Sequence, residues 1–316
     1  MRVLVTGGAG FIGRSMVDDL LAHGFEVRVL DKTKGNLTEL VNPALEIIEG
    51  GIEDQETVQQ VMTDVDIICH LAETFSSHLG EVLDIDVKGN VNLLEAATKC
   101  DIKHFLFAST HRVYGKPRYL PVDEEHPLHP EESGRALYAI FKLANEKLCL
   151  SYWWEHGLPV TIFRFWWAFS HEIGGRALRT AIDTALEGQP ITVPEKAGGN
   201  FLHNDDAANA FRLAMLNEKA YGEIFNLSSG TFTTWQELAE FACELTKSSS
   251  QIKLIPKEAW KGNTTIGTDK SIPYECNLDI SKAERLTGYK PKYSPSEVKS
   301  LLREAINRLV LTRKKE

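Results

Sequence analysis

The sequence predicts an α/β protein with a doubly wound parallel sheet and a smaller, mostly C-terminal lobe. Three observations support this prediction. Runs of β-branched residues alternate with helical stretches through the first half of the 316-residue chain, and a glycine-rich segment follows the first run directly. After about Phe165 the alternation weakens, and proline and glycine become frequent. Alternating strands and helices are typical of βαβ units, whose sheet is covered by helices on both faces.

The predicted elements follow in this order along the chain. Strands are predicted at 2–6, 26–30, 45–48, 66–71, 104–108 and 160–165. Helices are predicted at 13–23, which Gly24 would end as a C-cap, and at 57–62, 82–100, 136–156 and 205–216. The last helix would return to the main sheet. We therefore expect a first domain at 1–165, rejoined by 200–228, and a second lobe made mainly of 166–316.

The composition narrows the possible functions. Asp and Glu total 44 against 35 Lys and Arg, a formal net charge of −9, and this disfavours nucleic acid, whose phosphates need a cationic face. No apolar run reaches the roughly 18 residues of a membrane span, and the amino terminus lacks a signal-peptide layout. The cysteines are widely spaced and form no CxxC pair, and no HExxH motif occurs. We expect a cytoplasmic protein with reduced thiols and no bound metal.

Residues 6–13 read TGGAGFIG and contain a GxGxxG pattern at Gly8, Gly10 and Gly13, overlapped by a GxxGxxG pattern at Gly7, Gly10 and Gly13. The pattern follows a predicted strand and opens a predicted helix, which is the context that a phosphate-binding loop needs. Glycine permits a tight turn and a close approach of the backbone to a pyrophosphate. The amino end of the helix adds free N–H donors and a partial positive charge. The segment therefore predicts a dinucleotide site.

Asp31 closes the second predicted strand, 18 residues after Gly13. A carboxylate there accepts hydrogen bonds from an adenosine ribose and repels a 2′-phosphate. The position favours NAD over NADP, although Lys32 and Lys34 lie beside it and would favour the phosphate.

Tyr138 and Lys142 form a Tyr-x-x-x-Lys pair on a predicted helix. Their spacing places both side chains on one face, one turn apart. An ammonium near a phenol lowers the phenol's pKa from its usual value near 10. The pair then predicts a tyrosine that exchanges a proton with a sugar hydroxyl or carbonyl. The alternative is a surface contact without catalytic meaning.

Together with these motifs, further segments make the chain resemble the extended short-chain dehydrogenase/reductase family, the NAD-dependent epimerases and dehydratases of the UDP-glucose 4-epimerase type. The resemblance covers nearly the whole chain. It is carried by TGGAGFIG (6–13), HLA (70–72), DVKGNVNLLEAA (86–97), FASTHRVYG (107–115), YAIFKLANE (138–146), FLHNDDAANA (201–210) and GEIFNLSSG (222–230).

The resemblance implies a Rossmann sheet, a bound NAD and a substrate-binding second lobe. By it Tyr138 is the catalytic acid/base, Lys142 holds the nicotinamide ribose, and Thr110 hydrogen-bonds the reacting oxygen. Together with the glycine loop it assigns to the cofactor Gly7, Gly10, Phe11, Ile12, Gly13, Asp31, Lys32, Gly51, Ile52, Leu71, Ala72, Tyr138 and Lys142.

The chain also departs from the family pattern. Trp167 and Gly199 stand where the family has an asparagine and an arginine that meet a nucleotide diphosphate. Glu73 replaces the last alanine of HLAA, which would put a carboxylate near the cofactor phosphates. The other departures are Gly51 for the aspartate of GDI, Asp86 for the asparagine of NVxG and Phe141 for the serine of YxxSK.

The substrate site is the least defined part of the prediction. His111 and Arg112 occupy positions where the 4,6-dehydratases carry Asp-Glu, which disfavours that chemistry. Arg112 either binds a substrate carboxylate or phosphate or is a rim arginine paired with a local acid. Trp166 and Trp167 either line the substrate pocket or belong to the core of the second lobe.

Three functions stay open on the sequence alone. The first is an NAD-dependent enzyme that acts at a sugar or nucleotide-sugar hydroxyl or carbonyl, most often an epimerase. The second is a net dehydrogenase or reductase of a non-nucleotide substrate such as a sugar acid, and the third is a non-catalytic NAD-binding regulator. We also expect a homodimer, because helices 82–100 and 136–156 carry apolar residues on more than one face, among them Leu93, Leu94, Leu143, Leu148, Tyr152 and Trp153.

Overall fold

The computed structural model describes residues 1–76, 78–256, 259 and 276–315. In chain order its strands are β1 (Arg2–Thr6), β2 (Glu26–Asp31), β3 (Leu45–Glu49), β4 (Ile67–His70), β5 (His104–Ala108), β6 (Val160–Phe165), β7 (Ala168–Phe169), β8 (Ile191–Pro194), β9 (Gly198–Asn200), β10 (Leu202–His203), β11 (Glu223–Leu227), β12 (Phe232–Thr234) and β13 (Ile252–Ile255).

The α-helices are α1 (Phe11–Ala22), α2 (Gln55–Val61), α3 (Leu79–Val82), α4 (Gly89–Lys99), α5 (Ala136–His156), α6 (Arg176–Leu186), α7 (Asn204–Ala214), α8 (Trp235–Thr246), α9 (Ser281–Thr287) and α10 (Pro295–Arg313). Among the described residues, no helix is long and apolar enough to cross a bilayer.

The central sheet has seven parallel strands in the order β11-β6-β5-β4-β1-β2-β3. This confirms the predicted α/β class. The chain builds outward from β1 to β3 and then returns to place β4 on the other side of β1. Ligands of open α/β sheets bind at the carboxyl ends of the strands where the order reverses in this way. The topology therefore places a site between β1 and β4.

Successive residues of each strand enter opposite cores. Val3 and Val5 pack with α1, α7 and α9, whereas Leu4 packs with α2, α4 and α5. Side chains alternate across a strand, so a sheet covered on both faces needs apolar residues throughout. The second half of the chain contributes to the first of these cores, since α7 packs on α1 and β11 pairs with β6. The exact division at 1–165, 200–228 and 166–316 stays a prediction.

The helix predicted at 82–100 is not one continuous α-helix. Residues Leu83–Lys88 form a π-helical turn between α3 and α4, with Asp86 buried inside it. A π turn inserts an extra residue into the helical repeat and is frequent at functional sites. Periodicity alone did not reveal it, because the apolar residues on either side keep helical spacing. Leu93 and Leu94 are also fully buried in the protomer's own core, so they offer no second apolar face.

The second lobe packs α6, α8 and α10 around its own core. Short strand pairs join its loops: β7 with β10, β8 with β13, and β9 with β12. The core is rich in aromatic residues, with Phe169 and Phe201 fully buried and Trp166, Trp167 and Trp235 packed against them.

A buried ion pair ties α5 to the sheet. Arg164 on β6 and Glu146 on α5 form two hydrogen bonds, of 2.9 and 2.6 Å, and their side chains are 1% and 0% exposed. The Ser109 hydroxyl donates to the same carboxylate, and the guanidinium lies 4.8 Å from the centre of the Tyr114 ring. Removing one member of such a pair leaves an uncompensated buried charge.

We expect Glu146→Ala to lower the free energy of unfolding by about 3–5 kcal/mol, as measured by urea denaturation. The matched control is Glu26→Ala, which breaks the partly exposed pair with Arg2 and should cost about 0–1 kcal/mol. The double variant Glu146→Leu/Arg164→Met should recover part of the loss, since it leaves no buried charge. Equal effects of the two alanine variants would contradict a structural role for the buried pair.

Candidate active site

The glycine loop turns between β1 and α1 at the reversal point of the sheet. Gly7 has a positive φ of 71°, and a Cβ there would lie 2.7 Å from the amide nitrogen of Ala72. A Cβ at Gly13 would collide with the carbonyl oxygen of Gly7. Both positions therefore need glycine for physical reasons, as the motif predicted.

The amino end of α1 presents uncapped backbone donors. Gly10 is the N-cap residue and provides no side-chain cap, and Phe11 and Ile12 form the first turn. Phe11 is exposed, while Ile12 packs partly against the core. The first N–H groups of a helix lack partners inside it, so this end can receive an anionic group.

Asp31 lies at the end of β2, directly beside the loop. Its Oδ2 accepts a 3.0 Å hydrogen bond from the backbone N–H of Ala9. Lys32 pairs with Glu53 at 2.8 Å, and Lys34 lies 3.8 Å from Glu49. Each lysine thus has an acidic neighbour that offsets its attraction for a 2′-phosphate. The local charges favour NAD.

Gly51 and Ile52 follow β3 on the same edge. Ile52 is buried against Gly89, and Asn92 donates a 3.0 Å hydrogen bond to its carbonyl oxygen. A Cβ at Gly51 would collide with the Glu53 carboxylate, whose Oε2 is buried without a hydrogen-bond partner among the described residues.

Leu71 and Ala72 follow β4 and face the loop. Ala72 N–H donates 3.3 Å to the Thr6 hydroxyl, which also bonds to His70 Nδ1 at 2.8 Å. Burial lowers the pKa of His70 to about 3, so this imidazole stays neutral and ties β4 to β1. The HLA segment thereby holds the backbone of residues 71–72 next to Gly7.

These residues fit a dinucleotide. In the glycine loop, Gly7 lies against the backbone of residues 71–72 with no side chain between them. The amino end of α1 has no side-chain cap, and Asp31 lies at the carboxyl end of β2. A second buried acceptor, Glu73 Oε2, also lacks an aligned hydrogen bond among the described residues. In the described part of the chain no three His, Cys, Asp or Glu side chains come together to hold a metal ion.

The predicted catalytic residues meet at the ends of β4 and β5. Thr110 is buried just past β5 and caps the turn at His111–Tyr114. Tyr138 and Lys142 lie on one face of α5, with Lys142 Nζ 5.9 Å from the centre of the phenol ring. Lys142 is buried and donates a 2.8 Å hydrogen bond to the carbonyl oxygen of Ala108. Thr110 and Tyr138 are joined by a side-chain hydrogen bond.

The expected lowering of the Tyr138 pKa does not hold in the protein alone. Burial and the nearby Glu73 carboxylate raise it well above its usual value, and Arg112, Thr110 and Arg135 oppose them only in part. Burial is the larger of these two causes. The Glu73 carboxylate also pairs with the lysine, since Lys142 Nζ lies 2.5 Å from Glu73 Oε2. The tyrosine is therefore a phenol in this state.

Glu73, which the sequence analysis expected near the cofactor phosphates, contacts Lys142 and Tyr138, and the sequence did not predict these contacts. Sequence reasoning also did not anticipate the role of Asp86, whose Oδ1 accepts a 2.7 Å hydrogen bond from Thr74 N–H. Burial raises the pKa of Asp86 to about 6. Both residues stood out as departures from the family pattern, but the pattern gave no indication that they meet.

His111 and Arg112 follow Thr110 and point to different surroundings. His111 is buried against the backbone of Phe165, and burial lowers its pKa well below the usual value. Arg112 is half-buried and donates a 3.4 Å hydrogen bond to the Ser133 hydroxyl. Burial raises the pKa values of both Tyr138 and Cys276 well above their usual values, and the charge of Arg112 opposes this only in part. Arg112 therefore lies close to Tyr138, whereas His111 packs in the core.

Trp166 and Trp167 form an aromatic cluster with Phe201 and Trp235. The Trp166 ring lies 4.9 Å from Phe201 and 5.8 Å from Trp235, and Trp167 lies 5.9 Å from Trp235. A Cβ at Gly199 would collide with the Trp166 ring. The Trp166 ring therefore fills the space that a side chain at position 199 would need, and glycine in place of the family's arginine fits this packing.

Comparison with known proteins gives consistent matches over the full chain. A model of the NAD dependent epimerase/dehydratase family matches residues 3–228. A putative UDP-glucose 4-epimerase of Methanocaldococcus jannaschii is 33% identical, over 98% of this chain and 97% of its own. A UDP-N-acetyl-alpha-D-glucosaminuronate decarboxylase of Bacillus cytotoxicus is 34% identical, over 81% and 84%. The UDP-glucose 4-epimerase of Thermotoga maritima, solved with UDP-glucose, aligns with a TM-score of 0.77 and 27% identity, over 100% and 99%.

Proposed function

The chain belongs to the NAD-dependent epimerase/dehydratase family and is an NAD-dependent enzyme. We propose that it epimerises a nucleotide sugar whose sugar ring carries an anionic group in addition to the diphosphate. The observation that carries the proposal is the meeting of Thr110, Tyr138 and Lys142 beside the glycine loop, with the guanidinium of Arg112 next to the phenol. NAD, when bound, would supply the acceptor for the hydride of the sugar carbon and the donor that returns it to the other face of that carbon.

In the proposed mechanism the chain's own residues manage the proton and the geometry. The glycine loop and the α1 terminus bind the pyrophosphate, and Asp31 accepts hydrogen bonds from the adenosine ribose. Thr110 donates a hydrogen bond to the reacting oxygen. Tyr138 first loses its own proton to solvent. The phenolate oxygen then takes the proton from the sugar hydroxyl as the carbonyl forms, and the resulting phenol gives that proton back when the hydroxyl is restored.

The guanidinium of Arg112 is the reason for proposing an anionic group on the sugar. An arginine recognises a carboxylate through a planar pair of donors, and Trp167 and Gly199 leave the usual diphosphate contacts missing. A relative whose name specifies a glucosaminuronate substrate supports a carboxylate on the sugar. A net dehydrogenase of a sugar acid is the second candidate, favoured by the same missing contacts. Epimerisation leaves no net NADH, whereas dehydrogenation accumulates it, so NADH absorbance and product stereochemistry together separate the two.

We also propose a cytoplasmic homodimer. The family resemblance implies pairing through α4 and α5, and in this chain the exposed apolar residues that support it lie on α5. On α5, Leu137, Ile140 and Trp154 are exposed, Trp154 by 80%, and their spacing of three and fourteen residues places them on one face. Exposed apolar patches of this kind mark contact surfaces.

The dimer proposal predicts twice the protomer mass at micromolar concentration, measured by sedimentation. Ile140→Glu should shift the protein toward the monomer, because it places a charge in the apolar contact. Lys253→Glu, an exposed change on β13, is the control and should shift it less. A monomeric mass of the unaltered protein would contradict the proposal.

Tyr138→Phe should leave NAD affinity nearly unchanged and reduce turnover by about 10²–10⁴-fold, the usual contribution of a general acid/base. NAD affinity is measured by calorimetric titration and turnover by product analysis. Tyr152→Phe, near the far end of the same helix, is the matched control and should retain turnover. Near-normal turnover of Tyr138→Phe would remove the phenol from the mechanism.

Activity on UDP-glucose should be weak or absent, and activity on the corresponding uronate should be higher. Each lost charged contact costs about 1.5–3 kcal/mol, so Arg112→Ala should raise KM for the uronate by about tenfold or more. It should lower kcat less, which is the result expected when ground-state and transition-state binding are lost equally. Arg118→Ala, which breaks the pair with Glu132, is the control. Efficient epimerisation of UDP-glucose, indifferent to Arg112→Ala, would show that the substrate site lies elsewhere.

A further inference from the structure

Two departures from the family pattern meet at the Tyr138–Lys142 pair. Glu73 stands where HLAA ends in alanine, and Asp86 stands where NVxG begins with asparagine. The Asp86 carboxylate accepts the N–H of Thr74, the residue that follows Glu73, at 2.7 Å. Asp86 thereby fixes the backbone that carries Glu73, and the two substitutions act as one structural unit.

The Glu73 carboxylate touches both members of the pair. Its Oε2 lies 2.5 Å from Lys142 Nζ, and its Oε1 accepts a 3.4 Å hydrogen bond from the Tyr138 hydroxyl. The side chain is only 15% exposed, so water screens these contacts weakly. The aligned hydrogen bond of the ammonium goes to Ala108 instead, so the contact with Glu73 is mainly one of charge.

We propose that Glu73 is a positioning residue that keeps Tyr138 protonated in the resting enzyme, by accepting its hydrogen bond and by neutralising the Lys142 ammonium. The inference rests on the function proposed above, in which Tyr138 exchanges the proton. A carboxylate disfavours a second negative charge beside it, and a neutralised ammonium no longer attracts one. Glu73 therefore makes the phenolate harder to form.

Some of the charged groups around the Tyr138 phenol oppose its ionisation, and others favour it. Glu73 and Asp86 are the acids on the β4 and π-turn side. On the other side Arg112 favours the phenolate, as does Arg135, whose guanidinium lies 5.1 Å from the ring centre. With Glu73 neutral, Lys142, Arg112 and Arg135 would act without an adjacent opposing carboxylate. Removing the Glu73 charge must then move phenolate formation to lower pH.

The test is a titration of Tyr138 in the cofactor-free protein by NMR, with ¹³C-labelled tyrosine and Tyr138→Phe to assign the signal. In the unaltered protein the Tyr138 signal should remain that of a phenol at about pH 10, where an ordinary tyrosine is half ionised. In Glu73→Gln, which keeps the shape and removes the charge, ionisation should begin lower by about one pH unit or more. Glu26→Gln, at the amino end of β2 and therefore at the opposite end of the parallel sheet from the site, should leave the Tyr138 titration unchanged.

The pH profile of kcat/KM gives a second readout, and its Tyr138-dependent limb should move to lower pH in Glu73→Gln. Should that variant fail to fold, Glu73→Ala restores the residue of the family pattern and should give the same direction of shift. An unchanged Tyr138 titration in the folded variant overturns the inference, whatever the activity. Full activity of Tyr138→Phe overturns the proposed function instead, and the titration still decides the role of Glu73.

Discussion

The buried ion pair between Arg164 and Glu146 holds the parts of this site in register. It joins β6 to α5, the helix that carries Tyr138 and Lys142, and it also receives the hydroxyl of Ser109, the residue before Thr110. A buried charge needs its partner within hydrogen-bonding distance, because any displacement leaves the charge unpaired in a medium of low dielectric constant. The position of α5 against the end of β5 is therefore narrowly determined, and with it the approach of the threonine hydroxyl to the phenol.

The site itself is a balance of charges in a small volume. Lys142, Arg112 and Arg135 supply positive charge around the phenol, and Glu73 and Asp86 supply negative charge. Burial and the Glu73 carboxylate raise the pKa of Tyr138, and the same carboxylate pairs with Lys142, whose ammonium would otherwise favour the phenolate.

The second lobe shows how one substitution constrains another. The Trp166 ring occupies the volume that a side chain at position 199 would need, so glycine there is a packing requirement. Where the family has a polar asparagine and arginine, the second lobe of this chain has an aromatic cluster of Trp166, Trp167, Phe201 and Trp235. In the proposed function, recognition of a charged sugar therefore depends on cations close to Tyr138, and we assign this role to Arg112.

The sequence alone determined the elements whose signal is local. Strand periodicity, the glycine loop, Asp31 at the end of β2 and the Tyr138–Lys142 spacing depend on neighbours within one turn or one strand, so they were predicted from the chain. The π turn at Leu83–Lys88, the burial of Leu93 and Leu94, and the meeting of Glu73 with Lys142 depend on residues distant in sequence. Only the tertiary structure decided these, because burial and the distance between charges, which set packing and pKa, exist only once the chain has folded.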